Sequence, residues 1–184
     1  MRRNILPADG EEWLWRLRLK SEGKAEVSWQ VEGVPRGYRV YLEDVDRGIR
    51  FEMRRGGRYS VEVNGRREMR VRVTRRKLGM ELEGVKPRRS ELLPCYPNPG
   101  NPEIWIPYIL SERCEVTVRI YDPSGRLIRR LALGRKEAGV YVSRGKAVRW
   151  DGRNEHGERV ASEVYVVELS AGGRRFTRRI AIIK

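Results

Sequence analysis

The chain has 184 residues, 35% of them charged, and 40 basic against 25 acidic side chains leave a formal charge of +15 at pH 7. That length suits one large or two small domains with modest cores. No run approaches the roughly 20 apolar residues of a membrane-spanning helix, and two cysteines are too few for a disulfide framework or a zinc site. A basic surface favours polyanions such as nucleic acid or acidic polysaccharide. Most of the arginines, however, alternate with apolar residues, as in WLWRLRL and MRVRV, which is how a solvated strand face reads.

The opening MRRNILPADGEEW has two arginines but no apolar core after them, so no secretory leader is legible. Two readings follow: a cytoplasmic protein, or the C-terminal piece of a longer exported one. Residues 1–10 are taken as an extension. From residue 11 to residue 75 almost everything has period two. Trp13, Trp15, Leu17 and Leu19 share a face, as do Val27, Trp29 and Val31. After GVPRG come YRVYLED and IRFEMR, then RYSVEV and EMRVRV. Gly56-Gly57 and Asn64-Gly65 punctuate the last three like hairpin turns. A two-residue turn at Asn64-Gly65 would set Val61 against Glu68. A three-residue bulged loop would instead pair Tyr59 with Met69, so bulged three- or five-residue hairpins are expected at both sites. About six short strands then make a small sandwich.

Between residues 76 and 94 charges, glycines and prolines break the alternation, which reads as a linker with one short strand at MELEGV. Alternation resumes with Ile104, Ile106, Tyr108 and Leu110, which share parity with Val116, Val118 and Ile120 across SERC. Strands are expected at RLIRRLAL, GVYVSRGKAVRW, ERVASEVYVVELS and GRRFTRRIAIIK. The fold class is therefore all-β: two immunoglobulin-like antiparallel sandwiches in tandem, over residues 11–75 and 95–184.

Chemistry is sparse. His156 lies in DGRNEHGER among turn formers, and Asp151, Asn154 and Glu158 lack the spacing of a calcium loop; Asx side chains shaping a turn explain them. YDPSGR reads as a turn with Pro123 and Gly125 at the demanding positions. No phosphate loop, dinucleotide fingerprint or nucleophile elbow occurs, so an enzyme is not expected, nor any cofactor or metal. Cys95 and Cys114 either pair, if Cys95 folds back toward the next strand, or are two small buried residues. The aromatics fall on the apolar parity of their strands, which speaks against a dedicated nucleic-acid surface; the alternative reading is an adhesive or polyanion-binding module for acidic polysaccharide or nucleic acid.

One resemblance stands beside these readings. CYPNPGNPEIWIPYIL, EVTVRIYDPSGRLIRRL, AGVY, VRWDGRNEHGERVASEVYVVEL and RRFTRRIAIIK follow one another to a final lysine. That order resembles the immunoglobulin-like domain of the flagellar hook-capping family, and its close relative, the type A C-terminal sorting domain of type IX secretion substrates. Members show YPNPFNP, IYD-x-x-G-R, WDG-R-D/N-x-x-G, ASG-V/I-Y and a basic last strand. The residues that carry over are Pro97, Asn98, Pro99, Asn101, Pro102, Asp122, Gly125, Trp150, Asp151, Gly152, Gly157, Ser162, Tyr165 and Lys184. The resemblance implies a sandwich tail without catalytic residues, recognised by translocation machinery and delivered through the periplasm to the surface or medium. A hook-assembly scaffold is the further alternative. Trp150 and Tyr165 read as core, the Asp and Gly positions as turn formers, and the ends around Pro97 and Lys184 as recognition surface. Two positions depart from the pattern. Gly100 replaces the usual phenylalanine and is expected to remove an apolar plug. Glu163 replaces the usual glycine and is expected to be strained if that position needs a positive φ.

Overall fold

The computed structural model describes residues 12–183, so the N-terminal extension and Lys184 lie outside the described residues. Those residues form antiparallel strands and no α-helix, an all-β sandwich fold. Among them no helix is long and apolar enough to cross a membrane. The chain divides into two compact units, one ending at Val85 and the next beginning at Lys86. The 76–94 segment is shared between them: Glu81 bridges Ile49 in the first unit, and Leu92 pairs with Tyr108 in the second.

The first unit holds β1 (Glu12–Gln30), β2 (Arg39–Asp44), β3 (Ile49–Glu52) and β4 (Gly56–Thr74), ordered β1-β4-β2-β3. The short hairpins expected at Gly56-Gly57 and Asn64-Gly65 do not form. Instead β4 runs through both sites and pairs with β1 without a break, from Glu12 opposite Thr74 to Gln30 opposite Gly56. The turn formers mark a corner of this ribbon. Gly23 and Gly65 take φ values of +96° and +85°, and Ser21 faces Gly65 across the ladder.

The corner follows from geometry. Asp44 pairs with Met69, and Tyr59 lies ten residues further along β4, about 33 Å away in a straight strand. Yet the Tyr59 hydroxyl donates to Asp44 Oδ2 at 2.7 Å, and its ring lies 4.5 Å from that of Phe51. The ribbon therefore folds back over its own apolar face, burying Val61, Val63 and Met69 between its layers. Tyr59 and Met69 do share a face, as the parity requires, but as facing layers rather than a hairpin pair.

Two adjacent carboxylates of β2 are fully buried, and each has an arginine of β4. Asp44 takes Arg67 Nη2 at 2.6 Å and Nε at 3.2 Å. Glu43 takes Arg72 Nε at 2.5 Å, with Arg50 at 3.8 Å. Burial, and next the Asp44 charge, push the Tyr59 phenol far above its ordinary pKa. Tyr59 thus stays a neutral donor. The strand expected at MELEGV is reduced to one bridge, Ile49 to Glu81, with Leu82 buried against the sheet.

The second unit comprises β5 (Glu91–Leu92), β6 (Ile104–Ile106), β7 (Tyr108–Leu110), β8 (Cys114–Tyr121), β9 (Leu127–Lys136), β10 (Gly139–Tyr141), β11 (Val148–Trp150), β12 (Val164–Ala171) and β13 (Arg174–Ala181). One layer is the sheet β13-β12-β8-β9; the other holds the short sheets β10-β7-β5 and β11-β6. Pro107 splits the EIWIPYIL run because it cannot donate to a ladder, so β6 pairs with β11 while β7 pairs with β10. The SERC turn does not close a hairpin. It carries the chain from one layer to the other, and Ile104, Ile106, Tyr108 and Leu110 meet Val116, Val118 and Ile120 across the core. Full burial of each such side chain contributes about 1.5–3 kcal/mol.

Candidate functional site at one end of the second unit

The proline-rich segment between β5 and β6 is a folded loop. Tyr96 and Trp105 exchange backbone hydrogen bonds of 3.0 and 2.7 Å, and the Tyr96 hydroxyl donates to Val142 O at 2.6 Å. Pro97, Asn98 and Pro99 are exposed at the loop surface. Gly100 is buried and pairs with the last strand: its N–H donates to Ala181 O at 2.8 Å, and its carbonyl accepts from Ile183 N at 2.9 Å. Asn98 adds its side chain, Oδ1 accepting from Ala181 N at 2.8 Å. From the other side Glu163 O accepts the Ile182 N–H at 2.9 Å. Three consecutive N–H groups at the end of the described chain are thus held by two separate loops.

Gly100 corrects the expectation of a lost plug. A Cβ there would lie 2.3 Å from Ile104 Cγ1 and 2.9 Å from Glu103 O, so Ile104 already fills that space and the loop backbone lies directly on it. Glu163 is not strained, because among the described residues no non-glycine has a positive φ.

The other motifs gather nearby. Gly152, at φ +70°, packs on Pro102; a Cβ on it would come within 2.8 Å of Pro102 Cβ. Asn101, Pro102, Gly152, Arg159, Val160 and Ile182 line a small cleft of about 150 Å³. Trp150 is 1% exposed; its indole donates to Arg153 O at 2.9 Å and its ring meets Tyr165 edge-on at 5.6 Å. The Tyr165 hydroxyl bonds Ala161 O, four residues upstream, at 3.0 Å, similar to the tyrosine corner of immunoglobulin sandwiches. Asp151 Oδ1 accepts from Arg153 N at 3.2 Å. Asn154 Oδ1 takes the His156 and Glu158 N–H groups at 2.9 and 3.0 Å, with Gly157 at φ +80° closing the turn. His156 is exposed at that tip and Ser162 in the next turn.

The YDPSGR turn is built the same way. Asp122 Oδ1 accepts from the Ser124 hydroxyl at 2.6 Å and from Ser124 N and Arg126 N at 3.0 Å each, while Gly125 takes φ +83°. The Ser124 hydroxyl, with help from the Arg126 N–H and guanidinium, holds the Asp122 carboxyl below its ordinary pKa. Tyr121 pairs with Val166, and Val164 with Ala181. This turn, the start of β12 and the clamped last strand therefore share one end of the sandwich.

Residues 105–174 match the FlgD Ig-like domain family. That match lies inside the second unit and takes in the YDPSGR and WDGRNEHG turns. Nothing matches among curated proteins. Similar solved structures include PorZ, an essential surface component of the type-IX secretion system of Porphyromonas gingivalis, 21% identical over 77% of this chain and 16% of that one, with a TM-score of 0.35. Latent PorU from the same organism is 13% identical over 95% of this chain and 18% of its own, at 0.42. A β-glucuronidase of Parabacteroides merdae is 12% identical over 89% and 28%, at 0.34. The chain thus spans less than a third of each.

The possible Cys95–Cys114 bridge is absent: both thiols are free. They sit against different parts of the β12–β13 hairpin, Cys95 near Arg178 and Cys114 beside the turn at Gly172, with its Sγ 3.8 Å from the position of a Cβ there. Burial pushes the Cys95 thiol up to about 12, against the pull of Arg178. Residue-by-residue reading missed the carbonyls of Gly100 and Glu163, which hold the last strand. Backbone groups leave no signature in side-chain identity; the glycine inside PNPGNP was the only available hint.

Proposed function

We propose that the second unit is a non-enzymatic sorting and display module of an exported protein, recognised by secretion machinery at the end where its last strand is clamped. The observation that carries this reading is the convergence of PNPGNP, WDG and the C-terminal strand on one end of the sandwich. The match of residues 105–174 to the FlgD Ig-like domain supports an assembly or secretion module over an isolated soluble domain. In this reading the protein passes through the periplasm to the surface or medium. Trp150, Tyr165, Asp122 and Asn98 keep the recognised end in shape, and Pro97, Pro99 and Asn101 offer exposed surface to a receptor.

The test fuses the full chain behind a signal peptide and a reporter in a bacterium with type IX secretion. Reporter in the medium or on the surface is expected, with loss on Trp150→Ala. Periplasmic retention of the reporter, under conditions where an established tail exports it, would overturn the reading. The same family match favours a second reading, a scaffold in flagellar hook assembly. That one predicts binding of the purified chain to hook subunits and no export.

A further inference from the structure

The outer face of the β1–β4 ribbon, on the near side of its corner, gathers cations that the fold itself does not use. Arg16 faces Arg70 directly across the ladder and Lys20 faces Arg66, while Arg18 faces Glu68. Like charges opposite one another destabilise a strand pair. Glu68 is engaged by Arg70, with Oε1 3.0 Å from Nη2. Arg16, Arg18, Lys20 and Arg66 are exposed and, among the described residues, make no ion pair or hydrogen bond. Alternate residues on a strand lie about 6.8 Å apart and neighbouring strands about 4.8 Å. The cations therefore form a ladder two strands wide. Beyond the corner the same face turns mixed, with Glu22, Glu26 and Glu62 among its charges.

We infer that this face binds a linear acidic polysaccharide through its carboxylate groups. Charge complementarity selects a polyanion, and arginine forks take carboxylates, as they also take phosphates, two bonds at a time. The face also lacks what single-stranded nucleic acid needs. Trp13 and Trp15 belong to the opposite parity of β1, although Trp15 is 38% exposed, and Leu14 is the large apolar residue beside the cations, so the cationic face itself carries no ring for bases to stack on. This surface lies on the first unit and owes nothing to the proposed sorting role of the second.

The probe is polygalacturonate, titrated into the purified full chain at 50 and 300 mM salt (both test conditions, chosen because counterion release makes such binding salt-dependent). Binding at low salt that weakens steeply at high salt is expected. The variant Arg16→Ser/Arg18→Ser/Lys20→Ser/Arg66→Ser should bind roughly tenfold or more weakly, with a melting temperature unchanged or raised as the opposed charges disappear. Should that variant fail to fold, Arg18→Ser/Arg66→Ser carries the same expectation to a smaller degree. A control of equal charge change, Arg135→Ser/Arg144→Ser/Arg174→Ser/Arg175→Ser, should bind as the native chain does. No binding at low salt, equal loss in the control, or tighter binding of single-stranded DNA of matched charge would each overturn the inference.

Discussion

Gly100 and Asp122 are the residues on which the clamped end depends most directly. Gly100→Ala places a methyl group against Ile104 and the Glu103 carbonyl, and overpacking of this kind costs about 1–3 kcal/mol. Denaturant unfolding should show that loss, and the far larger side chain of Gly100→Phe should be worse. A neutral Gly100→Ala would mean the loop moves away from Ile104 freely. Asp122 makes a pH-dependent contribution. Its folded carboxyl titrates below the unfolded value of about 4, so the folded state binds fewer protons there. The contribution is complete above that value and disappears as falling pH passes through the folded pKa. Asp122→Asn keeps an acceptor for Ser124 but removes the charge. The melting temperatures of the two proteins should differ at pH 7 and converge in strong acid. A constant difference at all pH values would rule this out.

At the scale of elements, the bent ribbon is the feature that alternation alone described only in part. Parity grouped Tyr59, Val61 and Val63 with Met69, Val71 and Val73 on one face, but the hairpin expected from Asn64-Gly65 is a corner within one continuous strand. A tight turn and a corner share these signals, because both need a residue at positive φ. Which of them forms depends on the partner strand, and β1 pairs with β4 straight across both sites. The corner gives a clear expectation. A Cβ at Gly65 would meet nothing within 4 Å, so Gly65→Ala should cost only the left-handed backbone penalty, about 1–2 kcal/mol. Gly65→Asn should cost distinctly less, since asparagine visits that region. Equal losses measured by thermal unfolding would show that φ is not what the site requires.

For the molecule as a whole, each unit has its own core and its own sensitive spot. Asp44→Ala leaves Arg67 buried without its carboxylate, a type of change that costs about 3–5 kcal/mol. Trp150→Ala opens the second core by about 3–5 kcal/mol. Calorimetry should resolve two transitions, the first variant lowering one and the second lowering the other. A single transition lowered by both would mean the units unfold together.

Much of this was open to the sequence alone. Period-two alternation settled an all-β chain, since strands expose one face and bury the other whatever the fold. The spacing of PNPGNP, YDPSGR and WDGRNEHG located the turns of the second unit, because proline, glycine and Asx residues act on their own local backbone. The tertiary structure decided what non-local pairing controls. It converted a presumed hairpin into a corner and sent SERC between layers. It also turned Gly100 from a missing plug into a hydrogen-bonded latch on residues 181–183. Those outcomes depend on which carbonyl meets which N–H across many residues, and composition carries no record of that.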